Sequence, residues 1–86
     1  MAEPAEARHK RLYMRSIRRG IKEMDLILGA YAAERLAGLS EADLQLYDVL
    51  LAENDHDLYN WVSGQATPPA RFADLIAAIA ANAGSD

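Results

Sequence analysis

The chain has 86 residues, 51% of them apolar and 26% charged, with a net charge of −4 and no cysteine. A chain of this length forms one domain with a thin core, burying about 60–65% of its unfolded surface and leaving little room for a deep substrate pocket. The missing thiols exclude disulfides, thiolate metal sites, iron–sulfur ligation and cysteine nucleophiles, and no apolar run is long enough to span a bilayer.

Five helices are predicted. The first starts near Pro4, a residue suited to a first helical turn, with Glu6 early and Arg15, Arg18 and Arg19 late, the order the helix dipole favours. It is expected to end about Gly20, since glycine takes positive φ freely and lets another backbone approach. A second stripe runs through Ile21, Met24, Leu28 and Tyr31, flanked by Ile27, and finishes before Gly38. Ser40-Glu41-Ala42-Asp43 resembles a capping box and opens a third helix that buries Leu44, Tyr47, Leu50 and Leu51. Asn54 or Asp55 caps a short fourth helix holding Leu58, Trp61 and Val62, which Gly64 ends. Thr67-Pro68-Pro69 is expected to open a fifth, as N-cap and first turn, with Phe72, Leu75, Ile76 and Ile79 on its apolar face.

No segment alternates as a strand does, and no linker separates two domains. The expectation is an all-α fold, a compact bundle of five short helices in a single domain over residues 1–86, with residues 82–86 as a frayed tail.

Charge is unevenly spread. Seven of the nine basic residues lie between Arg8 and Lys22, whereas positions 23–86 hold 11 of the 13 acids against Arg35 and Arg71. The first 22 residues thus carry +5 and the rest −9, a layout that steers a charged partner toward the N-terminal region. An Arg-rich start raises the question of a mitochondrial presequence, but Glu3 and Glu6 interrupt it, and a bacterial cytoplasmic protein fits this composition better.

Asn54-Asp55-His56-Asp57 gathers possible metal ligands, yet neighbours at a helix start point apart and helix capping accounts for the cluster. No nucleophile elbow or glycine-rich phosphate loop surrounds the serines, His9 or His56, so no catalytic or metal site is expected, and no enzyme. The first helix could contact phosphates, but the third and fourth, where a recognition helix would lie, are acidic. Arg19 and Glu23, four apart, can pair across the break at Gly20.

Arg18-Arg19-Gly20-Ile21-Lys22-Glu23-Met24-Asp25-Leu26-Ile27-Leu28 resembles the Arg-Gly-x-x-Glu signature of the SdhE family, known in eukaryotes as succinate dehydrogenase assembly factor 2. The likeness continues through Leu39-Ser40-Glu41, Tyr47-Asp48-Val49-Leu50-Leu51 and Glu53 to Val62, spanning about residues 11–80. The resemblance implies a helical assembly factor that binds the flavoprotein subunit of succinate dehydrogenase, and in some bacteria fumarate reductase, and promotes its covalent FAD attachment. It implies no cofactor of the factor's own; the FAD acted on is the partner's. Carried onto this chain, Arg19, Gly20 and Glu23 form the centre of the docking surface, with Arg15, Arg18 and Asp25 beside it. Trp61 and Leu58 fall in the second block and are expected at the core. A monomer that neither enters a membrane nor binds nucleic acid is expected, and the alternative is an antitoxin-like or nucleic-acid-binding regulatory module.

Overall fold

The computed structural model describes residues 3–84, and over them each of the five predicted helical segments is present: α1 (Ala5–Ser16), α2 (Lys22–Arg35), α3 (Glu41–Leu50), α4 (Asp55–Val62) and α5 (Ala73–Ala83). Short 3₁₀ turns at Leu36–Gly38 and Ala70–Phe72 extend α2 and lead into α5, and no strand occurs among the described residues. Helix α2 is the hub, packed against α1, α4 and α5. Its buried residues Met24, Leu28 and Tyr31 are the ones its apolar spacing assigns inward. They meet Leu12 of α1, Leu44, Tyr47 and Leu50 of α3, Leu58 of α4, and Phe72, Ile76 and Ile79 in one cluster. Trp61 lies at the edge of that core and tilts against Phe72.

The caps of α3 and α4 form as read. Ser40 accepts the Asp43 N–H and Asn54 accepts the Asp57 N–H, each satisfying an amide that a helix start otherwise leaves without a partner. Gly64, at φ +84°, ends α4 in the conformation that side chains resist.

Three boundaries differ from expectation. Helix α1 stops at Ser16, four residues before Gly20, so Arg18 and Arg19 lie in the connection to α2 and not in a last helical turn. Gly20 does not have positive φ. Ser16 is fully buried and its hydroxyl donates to Leu12 O while meeting Tyr47 Oη at 2.6 Å. Because the single Ser16 proton is spent on Leu12, Tyr47 donates to Ser16, tying the end of α1 to the middle of α3. Burial is the largest effect on the Tyr47 phenol and pushes it up to about 12. The chain leaves the helix beyond that tie, with Ile17 pressed on Gly29 of α2, where a Cβ would come within 2.9 Å of Ile17 Cγ2.

The second difference is the start of α5. Thr67 caps nothing: the prolines hold the chain extended, with Pro69 at ψ 147°, and helical turns begin only at Ala70. The third is the tail. Helix α5 runs through Ala83 and buries Asn82, because the apolar spacing of Leu75, Ile76 and Ile79 continues onto α2; residues 85 and 86 lie outside the described residues.

Candidate partner-binding site

The basic residues of the N-terminal segment divide by what they touch. Arg8 forms a two-pronged pair with Glu41, bringing that carboxyl down to about 2. Arg11 binds both Glu3 and Asp48, and Arg15 binds the same Asp48, whose carboxyl the bond from Arg11 lowers against the effect of burial. Lys10, Arg18 and Lys22 are exposed and have no ion pair among the described residues. Much of the predicted positive field of α1 is thereby spent inside the domain, joining α1 to α3.

Arg19 is built into the fold. Its side chain is only 11% exposed; Nε donates to Asp55 Oδ1 at 2.6 Å, and Nη1 and Nη2 donate to the carbonyls of Leu51 and Glu53 at 2.6 and 2.7 Å. Those carbonyls follow the end of α3, the negative end of a helix dipole, so a guanidinium is the group best suited to cap them. The expected Arg19–Glu23 pair does not form, because the guanidinium points away from α2 toward Asp55. The break between α1 and α2 is closed by two carboxylates. Asp25 accepts the Arg19 N–H, and Asp55 Oδ2 accepts the Gly20 N–H at 2.5 Å. Burial alone raises the Asp55 carboxyl, but the bond from Arg19, the Gly20 amide and the Arg19 charge outweigh it and hold the group below its ordinary 3.8. Gly20 suits this close approach: a Cβ there would stand 3.1 Å from Asp55 Oδ2, so the carboxylate would have to give way slightly.

The signature thus splits. Arg19 and Asp25 face inward, Gly20 sits exposed on the ridge, and Glu23 is exposed in the first turn of α2 with no hydrogen bond or ion pair among the described residues. Arg18 is exposed before the ridge, and Arg15 lies on the Asp48 side. Beside Glu23 an open cleft of about 290 Å³ is lined by Ile21, Glu23, His56 and Tyr59. Sequence reasoning missed Asp55, His56 and Tyr59 as members of this site. The available signal was that Asn54 alone suffices as cap, which leaves the Asp55 carboxylate without a local task.

Among the described residues no helix is long and apolar enough to cross a membrane, and no group of three or more His, Asp and Glu side chains could hold a metal ion. The family described as "Flavinator of succinate dehydrogenase" matches residues 10–83. The chain is similar to succinate dehydrogenase assembly factor 2-A, mitochondrial, of Drosophila willistoni, 39% identical over 72 residues that cover 81% of this chain and 46% of that protein. It is also similar to the mitochondrial assembly factors 2 of Saccharomyces cerevisiae, 43% identical over 61 residues (71% and 38% covered), and Dictyostelium discoideum, 37% over 67 (78% and 48%). The chain therefore spans about half or less of the length of these curated relatives. Their names place them in mitochondria of eukaryotes, which corrects the expectation of a bacterial cytoplasmic protein. That expectation drew on Glu3 and Glu6, but Glu3 is bonded to Arg11 and Glu6 lies in the first turn of α1, so these acids report folding and not address. With the match covering residues 10–83 and the signature intact from Arg19 to Glu23, the chain belongs to the family of succinate dehydrogenase flavinators, the assembly factors 2.

Proposed function

We propose that this chain binds the flavoprotein subunit of succinate dehydrogenase and promotes the covalent attachment of FAD to it, acting as a holder of its partner and not as an enzyme. The observation that carries this reading is the family match over residues 10–83, which includes the whole ridge from Arg19 to Glu23. The geometry supports it in kind. Gly20 is exposed between α1 and α2, its N–H is held by Asp55, and it carries no side chain that a partner would have to displace. FAD enters as the partner's cargo. Of the arginines beside the ridge, Arg15 and Arg19 are engaged by Asp48 and Asp55 and Arg18 has no ion pair among the described residues, an arrangement suited to shaping a protein surface more than to holding a dinucleotide.

The test is to incubate purified apo-flavoprotein subunit of succinate dehydrogenase with FAD, with and without this chain, and read covalent flavin by in-gel fluorescence after denaturation. Faster or more complete labelling in its presence is expected. Equal labelling, under conditions where spontaneous attachment is slow, overturns the reading.

A further inference from the structure

The split signature leaves one charge unanswered. Arg19, the cation four residues before Glu23 and so placed to pair with it along a helix, is fixed on Asp55 and two carbonyls, and the adjacent Lys22 makes no ion pair among the described residues. Glu23 therefore presents a full carboxylate to the cleft it shares with Ile21, His56 and Tyr59. The floor is apolar, since Ile21 packs against the core from its position at the start of α2. The far side is formed by one face of α4: His56 and Tyr59 are three residues apart and thus neighbours on its surface. Tyr59 is 36% exposed, one of few large apolar side chains left so open, and its hydroxyl and the His56 ring make no hydrogen bond among the described residues. Clamping of Gly20 by Asp55 fixes α4 against the start of α2, so the cleft's two walls are held at a set spacing before any partner arrives.

We infer that this cleft receives an arginine side chain of the flavoprotein, a deepening that rests on the function proposed above. A carboxylate beside an exposed aromatic ring over an apolar floor matches each part of that side chain. Glu23 takes the guanidinium by charge-assisted bonds, Tyr59 offers a ring face for the planar cation, and Ile21 covers the methylene stem. The flat guanidinium stacks where a lysine ammonium would remain a hydrated point charge. His56 lines the same cleft, so a carboxylate placed at this position strengthens the site and a fixed cation opposes it.

The experiment measures affinity of the full chain for the purified flavoprotein subunit of succinate dehydrogenase by calorimetry, with unfolding curves to verify each variant's fold. Glu23→Gln is expected to weaken binding about tenfold. Tyr59→Leu should cost about fivefold, whereas Tyr59→Phe, which keeps the ring, should stay within about twofold. His56→Glu is expected to tighten binding and His56→Arg to loosen it. A double-mutant cycle against Arg→Gln changes on the flavoprotein should find one arginine coupled to Glu23. If Glu23→Gln and Tyr59→Leu both bind like wild type while Gly20→Arg does not bind, the arginine site is overturned and the docking reading stands. If the wild-type chain itself does not bind, both fall.

Discussion

Arg19 and Glu23 belong to one five-residue signature, yet they occupy opposite kinds of environment. The charge of Arg19 is answered: the side chains of Arg19 and Asp55 are 11% and 14% exposed, and the guanidinium donates to one carboxylate and two carbonyls. That of Glu23 is not answered among the described residues, and the carboxylate opens on a cleft. A buried ion pair contributes through what its loss leaves behind, an uncompensated charge in low dielectric, whereas an exposed carboxylate contributes almost nothing until a partner excludes water from it. One signature therefore holds two kinds of residue, the first fixing the ridge and the last left open to solvent.

This division is broken most directly at Arg19. Arg19→Ala strips Asp55 of its cation and leaves the carbonyls of Leu51 and Glu53 without donors, and is expected to destabilise the domain by about 2–4 kcal/mol in urea unfolding. A loss below about 1 kcal/mol would mean that Arg19 is not the internal clamp, and its place in the signature would have to be explained by contact with the partner.

Asp55→Asn tests the same clamp from the other side and adds pH. The Asp55 carboxyl is held below its ordinary 3.8 in the folded chain, so as pH falls the unfolded chain takes up the proton first. The stability it contributes is complete above about pH 5 and is lost as pH drops through the folded value. The Asn variant should be weaker by about 1–3 kcal/mol at neutral pH and show a shallower loss of stability on acidification. Some acid sensitivity should persist, because Asp48 and Glu41 are shifted in the same direction. Parallel acid profiles for the two proteins would contradict the placement of Asp55.

What could be read from sequence follows the range of the interactions involved. The caps at Ser40 and Asn54 depend on residues three apart, and the inward stripe of Met24, Leu28 and Tyr31 depends on helical period, so both were legible. The end of α1 was not, because it is set by Ser16 meeting Tyr47, 31 residues away, and by Arg19 reaching Asp55, 36 residues away. The start of α5 was misplaced for a local reason: consecutive prolines after Thr67 suit a first helical turn as well as an extended entry, and the chain takes the second. At the site, Gly20 and Glu23 are exposed, Arg19 and Asp25 turn inward, and the α4 wall of the cleft emerged only once the clamp had brought two distant segments together.

The smallest expected effect on stability is the most informative about the outward half. Glu23→Gln removes a carboxylate from the first turn of α2, where it interacts favourably with the helix dipole but with no side-chain partner among the described residues. Unfolding in urea should show a loss of about 0.3–0.5 kcal/mol at low salt, fading further at physiological ionic strength as the dipole interaction is screened. Set beside the large loss at Arg19→Ala, this contrast separates the residue that shapes the ridge from the one that presents charge on it. A cost above about 1 kcal/mol that salt does not reduce would place Glu23 within the fold's own bonding, leaving both halves of the signature structural and removing the reason to expect a cation from the partner.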